Sequence, residues 1–489
     1  MKHWVLIRRK RLALLLAAAL LSVAGYLLYT SWNGYIGFPL DDAWIHQVYA
    51  RNLVERGEWS FNPGEPSGGS TSPLWSLLMA AGYFVKIHPV IWSGVLGWLT
   101  LFLIAVFADE LVRSLMPGYK PSIPWVGLFF AFEWHLTWAS VSGMETSLYV
   151  LVVLSTFLAL SRKIPLFGLA GFIMGICTWI RPDGITLLGS AVMMAVFHPG
   201  DMREKIKRIA FLTGSFSLVF IPYLLFNLHI AGSIWPTTFS AKQAEYAAAT
   251  GYPLFQRMWW LFLPFLAGGG VVLLPGVVSS VVFAWRKRPI LPVAMLLWMG
   301  GYLLLFSLRL PVNYQHGRYM IPAMAVFFLM GFWGWLIWMG KWSSEKRIRL
   351  TCFFWGACLV SVTVIFFLIG AQTYKTDTAI IETEMVETAN WIKNHVPIDS
   401  RVAAHDIGAI GYYSGHELID LAGLVNPEII PIIRNEVAIQ TYLDSEETDF
   451  LVTFPGWYPL LTSEREMIFR SPGIVSIQSG GENMAVYRW

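Results

Sequence analysis

About eleven stretches of this chain are apolar for long enough to lie in hydrocarbon, and that repetition constrains the fold more than any other feature. They fall near 12–29, 89–108, 124–140, 147–160, 164–180, 185–197, 209–228, 259–284, 290–307, 319–340 and 350–370. Roughly 20 helical residues cross the ~30 Å hydrocarbon layer. A segment in lipid must also satisfy its own backbone hydrogen bonds, which a helix does within itself. The expected class is therefore a polytopic α-helical membrane protein. Composition agrees and excludes a soluble enzyme: of 489 residues 56% are hydrophobic and 13% charged, and the 24 Trp suit rings anchored at membrane interfaces. Cys177, Cys352 and Cys358 lie inside apolar runs, so no disulfide framework or zinc spacing is present.

The first run follows MKHWVLIRRKR, whose five bases predict a cytoplasmic N-terminus. Ser22-Val23-Ala24 offers a signal-peptidase site as an alternative, although the apolar run continues past it. Eleven crossings carry the C-terminus outside, and the loops agree with this. The predicted cytoplasmic segments, around Arg113 and Lys120, Arg162 and Lys163, 203–208, 286–288 and 341–349, hold 20 bases with the N-terminus, against 8 in the outside loops. The segment 73–85 is too short to cross and is expected to be re-entrant or interfacial. These elements make a membrane domain over 1–370, with a polar outside loop at 30–88. Residues 371–489 hold 17 acidic and 7 basic side chains in a chain of net +4. A helix over 378–395, then RVAAHD, HELIDLAGL, TDFLVTF, IVSIQS and MAVYRW, predicts a small extracytoplasmic α/β domain.

Chemistry is sought where polar residues collect, and they collect at the outer edge. In GFPLDDAWIHQVYARNLVERGEWSFNPGEPSGGSTSPLW, Asp41 and Asp42 open an amphipathic helix whose Ala43, Ile45, Val48, Tyr49 and Leu53 are expected on the membrane surface, with Gly57 as its stop. Capping explains one aspartate; the second needs another role. Adjacent residues point in different directions, so separate duties fit better than a shared proton: one carboxylate as base toward an acceptor hydroxyl, the other to cap, orient or bind a sugar. His46, one turn on, either faces the same cleft or bonds backbone. Glu145 in SGMET and Arg181 with Asp183 in WIRPDG lie at the same side, as structural ion pairs or as substrate contacts. Lys242 in WPTTFSAKQAEY, and His316 and Arg318 in NYQHGRY, are donors suited to a phosphate or to lipid headgroups. His405 and Asp406 end an expected strand, there to serve structure or to bind carbohydrate. The loop at 64–71 lacks a P-loop lysine, and DIGAIGYYSG reads as a turn that does not match a dinucleotide fingerprint.

These motifs, with HGRYMIPA and DLAGLVNPEI, run in order over nearly the whole chain, and as a set they resemble the GT-C glycosyltransferases, above all the terminal β-arabinofuranosyltransferase family of mycobacterial cell walls. The resemblance implies an inverting transfer from a polyprenyl-phosphate sugar at the outer face of a bacterial inner membrane, to a glycan or lipid acceptor. It implies no nucleic acid partner, no cofactor and no metal. It gives catalysis to Asp41 and Asp42 and donor phosphate binding to Lys242, His316, Arg318 and Arg181; His46, Glu145 and Asp183 are expected at the substrate from their place on the same outer side. The sequence departs from the family pattern at Trp44-Ile45-His46, SGGSTSPLW and WPTTF, near the sugar pocket, so arabinofuranose and other sugars stay open. A transporter or scaffold for lipid-linked glycans is the alternative. It would hold its polar groups nearer the bilayer midplane.

Overall fold

The computed structural model describes residues 2–119, 121–340 and 346–489. Lys120 and 341–345 of the basic segment fall outside them. The chain is a multi-pass membrane protein. Among the described residues seven helices are long and apolar enough to cross a bilayer: Arg9–Trp32, Pro89–Leu115, Met202–Ala231, Gly269–Lys287, Ile290–Arg309, Gln315–Met339 and Leu350–His395. Shorter apolar helices, including Thr146–Leu160 and Phe167–Ile180, are packed among them. Small residues let neighbours approach closely; a Cβ at Gly334 would run into the carbonyl of Gly276.

Two runs expected as single helices are broken. At 124–140 the helix Trp125–Phe132 stops at an extended Glu133, whose carboxylate accepts from Leu136 N at 3.0 Å and starts Trp134–Val141. At 259–284 Leu254–Leu266 ends after Pro264, and Gly268 at φ 85° redirects the chain into Gly269–Lys287. Such breaks are invisible to hydropathy because both halves remain apolar. Pro73–Phe84 has 12 residues, about 18 Å of helix, too short to cross.

The final span does not stop at the membrane. Lys346–Ile381 passes through a wide π turn, Glu382–Val386, into Glu387–His395. Glu384 in that turn is buried, accepting from Met484 N at 2.9 Å, from Asn483 Nδ2 at 3.0 Å and from Ser471 Oγ, so it ties the helix to the following domain. That domain holds β1 (Val402–Ala404), β2 (Leu418–Asp420), β3 (Phe450–Thr453), β4 (Met467–Arg470) and β5 (Ala485–Arg488) in the order β2-β1-β3-β5-β4. β1 is parallel to both β2 and β3, while β5 is antiparallel to β3 and β4. IVSIQS, expected among the strand-forming segments, is instead one turn of helix, Ile474–Gln478. A short apolar run fits either state.

The loop at 30–88 lies between the two domains. Its helix Asp41–Arg56 ends as expected at Gly57, in the left-handed region at φ 74°. It does not lie on the membrane surface. Residues 43–50 are all buried, with Trp44 packed on Tyr412 and Tyr413 at ring distances of 4.7 and 4.9 Å. Arg51 donates to the Tyr412 carbonyl at 2.7 Å, and Asn62 brackets Leu418 through its N–H and carbonyl at 3.1 and 3.0 Å. Apolar periodicity marked this helix as covered on one face; the C-terminal domain covers the other.

Candidate active site

Neither aspartate caps its own helix, which begins after an extended Leu40 with no side-chain cap. The two carboxylates diverge. Asp41 turns to the C-terminal domain and accepts the N–H groups of Gly408 and Ala409 at 2.7 and 2.8 Å, holding the turn after β1. Asp42 turns to the membrane domain and accepts from Arg318 Nη2 at 2.5 Å. Burial pushes the Asp41 carboxyl up to about 8, with the Asp406 charge adding to it and the two N–H bonds opposing. Burial acts the same way on Asp42, but the Arg318 guanidinium and the Lys242 ammonium override it and hold that carboxyl well below the usual carboxylate range. With 27% of its side chain exposed, Asp42 remains open to a ligand.

Asp42 lines a cavity of about 370 Å³. Arg318 lies beside it, 5% exposed, its guanidinium 5.1 Å from the Tyr319 ring and 5.8 Å from that of Tyr314. Nη2 serves Asp42 and the Tyr319 hydroxyl, while Nε and Nη1 are buried with no partner among the described residues. Lys242 enters from the helix Thr237–Glu245 with Glu245 Oε2 at 3.2 Å. Arg181 follows the end of Phe167–Ile180, held by Glu145 Oε1 at 2.9 Å and Asp183 Oδ1 at 3.1 Å. Asp183 in turn accepts from Tyr302 at 2.5 Å. His46 binds Ser76 Oγ through Nδ1 at 2.9 Å and sets Nε2 3.6 Å from Glu145 Oε2. Burial raises Glu145, but His46 and Arg181 outweigh it and bring the carboxyl to about 2.

Seven residues singled out in the sequence therefore border one cavity: Asp42, His46, Glu145, Arg181, Asp183, Lys242 and Arg318. Asp41 lies behind it. His316 is not among the lining residues: Gln315, His316 and Gly317 adopt positive φ, a tight turn that separates His316 from Arg318. His316 Nε2 pairs instead with Asp377 at 2.7 Å, where Trp138 Nε1 donates to the same oxygen at 3.0 Å. The sequence reading missed the apolar wall of Trp235, Phe239, Leu305, Phe306 and Leu310, and also Tyr319. Tyr319 was signalled only by its place beside Arg318; the wall residues look like those of any span. Among the described residues no group of three or more His, Cys, Asp or Glu is placed to hold a metal.

Residues 370–487 match the model of a family described as a domain of unknown function, DUF8728. A search of curated protein sequences finds no match. Three solved structures share the fold. ArnT from Cupriavidus metallidurans, bound to undecaprenyl phosphate, is 13% identical with a TM-score of 0.60 over 97% of each chain. The Archaeoglobus fulgidus oligosaccharyltransferase in its apo form is 11% identical, TM-score 0.58, over 91% of this chain and 69% of that one. Arabinofuranosyltransferase AftD from mycobacteria is 14% identical, TM-score 0.51, over 98% of this chain, which spans 41% of AftD. The fold is that of the GT-C glycosyltransferases.

Proposed function

We propose that this GT-C chain is an inverting glycosyltransferase, moving a sugar from a polyprenyl-phosphate donor to an envelope glycan or lipid on the extracytoplasmic side of a bacterial inner membrane. One observation carries the reading: a single cavity sets an open carboxylate, four cations (Arg181, Lys242, Arg309 and Arg318) and an apolar wall side by side. An isoprenoid chain fits the apolar wall, a phosphate fits Lys242, Arg181 and Arg318, and Asp42 supplies a base within reach of both. The likeness to ArnT bound to undecaprenyl phosphate supports the donor class, and that to AftD makes arabinofuranose the first sugar to test.

The resting site suggests the order of events. Buried unpaired donors are costly, and a phosphate oxygen satisfies Arg318 Nε and Nη1. The arriving anion shares Arg318 and Lys242 with Asp42, so the proton affinity of the carboxylate rises. Asp42 then takes the proton of an acceptor hydroxyl as its oxygen attacks the anomeric carbon from the face opposite the phosphate. The carbon to phosphate-oxygen bond breaks, and polyprenyl phosphate leaves against the cations with the configuration inverted. Arg181, already pinned by Glu145 and Asp183, orients the donor.

The test is polyprenyl phosphate release by the purified protein in nanodiscs, given a panel of polyprenyl-phospho-sugars and glycan acceptors. Asp42→Asn should lower turnover by roughly 10²- to 10⁴-fold, the usual worth of a general base, while donor still binds. Equal turnover by wild type and variant would refute the mechanism. Donor binding with no turnover of any sugar would favour a carrier or scaffold.

A further inference from the structure

The proposed mechanism uses only the membrane domain, yet the C-terminal domain brings the ends of its parallel strands beside the same cavity, through Leu424 and through His405 next to Glu245. In the order β2-β1-β3 the chain leaves β1 to one side and later returns to pair on its other side. Open α/β sheets bind ligands in the crevice at the carboxyl ends of parallel strands where the order reverses in this way. Here that crevice lies between the ends of β1 and β3. His405 and Asp406 follow β1, and Phe454, Trp457 and Tyr458 follow β3.

The residues meet there. His405 Nδ1 lies 2.7 Å from the Tyr458 hydroxyl, and its ring centroid is 4.9 Å from that of Trp457. Trp457 is 51% exposed, in a domain whose other large rings at this end are mostly covered. The Asp406 carboxylate makes no hydrogen bond among the described residues. Glu245 joins the crevice to the cavity, with Lys242 at 3.2 Å on one side and His405 Nε2 at 3.9 Å on the other. The same turn after β1 is the one Asp41 holds, so Asp406 stands two residues from an anchor on the neighbour of Asp42. The turn after β2 also reaches the site: Leu424 lines the cavity, and its carbonyl accepts from Thr237 at 2.7 Å.

A sugar ring offers an apolar face of C–H groups and a rim of hydroxyl donors. An exposed indole beside carboxylates is complementary to both. Asp406 and Glu245 repel an anion, so this end is unsuited to the donor phosphate, whose cations lie across Lys242.

We propose that the crevice at the ends of β1 and β3 is the acceptor subsite, in which Trp457 stacks on a ring of the acceptor glycan while Asp406 and Glu245 receive its hydroxyls and point one of them toward Asp42, His405 holding Tyr458 and Glu245 in place. This rests on the glycosyltransferase reading, but it is tested by binding rather than by turnover. Full-length protein in nanodiscs is titrated, by saturation-transfer NMR, with soluble oligosaccharides of arabinose, galactose, mannose and glucose. At least one should bind, and Trp457→Ala should weaken it about tenfold, the scale of one aromatic contact. Trp457→Phe should restore most of the affinity, which separates stacking from misfolding, and binding of polyprenyl phosphate should be unchanged in both. Equal affinity in wild type and Trp457→Ala, or no binding by any oligosaccharide, would overturn the proposal. Asp42→Asn distinguishes the two readings: it should keep glycan binding while losing turnover. Full turnover by that variant would sink the mechanism and leave the crevice standing.

Discussion

The two walls of the site are built from opposite materials. The membrane-domain wall is cationic and apolar, with Arg181, Lys242 and Arg318 beside Trp235, Phe239 and Phe306. Beside it, joined through Glu245, the C-terminal domain is acidic and aromatic, with Asp406, Trp457 and Tyr458 around His405. The helix Asp41–Arg56 is gripped between them, Asp41 by one wall and Asp42 by the other. Two adjacent, chemically identical side chains thus acquire unlike properties from their surroundings alone: burial and the Asp406 charge around one, a guanidinium and an ammonium around the other. On the proposed reading the division would also sort substrates, a lipid phosphate to the first side and a polyhydroxyl acceptor to the second.

If the division is real, equal substitutions on the two sides should fail differently. The largest contrast is between Asp42→Asn and Asp41→Asn. The first should lose roughly 10²- to 10⁴-fold in kcat with its melting temperature little changed; the second should melt lower while retaining far more turnover. If Asp41→Asn lost as much kcat at unchanged stability, the assignment of the pair would be reversed. Next in size is Arg318→Lys, which keeps the charge but loses the fork that holds Asp42 and presents Nε and Nη1. Losing a hydrogen bond to a charged group costs about 1.5–3 kcal/mol, so the donor KM should rise roughly 10- to 150-fold with the acceptor KM unchanged. A shift in acceptor KM instead would mean that the walls are not separate. Smaller again in its effect on turnover is Asp41→Ala, which strands the N–H groups of Gly408 and Ala409. Each buried unsatisfied donor costs about 1–3 kcal/mol, so the melting transition should fall and protease should cut more readily in 405–415. An unmoved transition would mean that water replaces the carboxylate.

How much of this could be read beforehand divides along the same line. The cationic wall was legible because charges beside apolar runs have few reasons to be there, and Arg181, Lys242 and Arg318 do share the cavity. His316 carried the same signal and lies elsewhere, because three consecutive positive φ angles turn the chain between it and Arg318. No residue type in QHGR announces that turn except the glycine. The partner of Asp41 was beyond reach: its N–H donors are backbone atoms more than 360 positions away. The helix at 41–56 looked interfacial because one-sided periodicity cannot say whether lipid or a second domain covers the other side. Trp457 and Tyr458 carried no pattern; they matter only because the strand order brings the ends of β1 and β3 together.

The smallest effect tests the acidic wall by pH. Burial pushes the Asp406 carboxyl up to about 6; Asp42 and Glu245 add to the rise, while His405 and Lys242 oppose it. The group is therefore ionised at pH 7 and takes up its proton as pH falls through about 6, where an ordinary aspartate would stay charged. Below that pH it offers acceptor hydroxyls a weaker hydrogen-bond acceptor, so the acceptor KM should rise severalfold between pH 7 and pH 5, and Asp406→Asn should flatten the rise. Stability runs the other way. A carboxyl whose folded value lies above its unfolded one favours folding most below the unfolded value, and that contribution is lost as pH climbs from about 4 through about 6. Lowering the pH should thus raise the melting temperature of the wild type relative to Asp406→Asn while it weakens acceptor use. A rise in KM without the stability difference would take Asp406 out of the acceptor site.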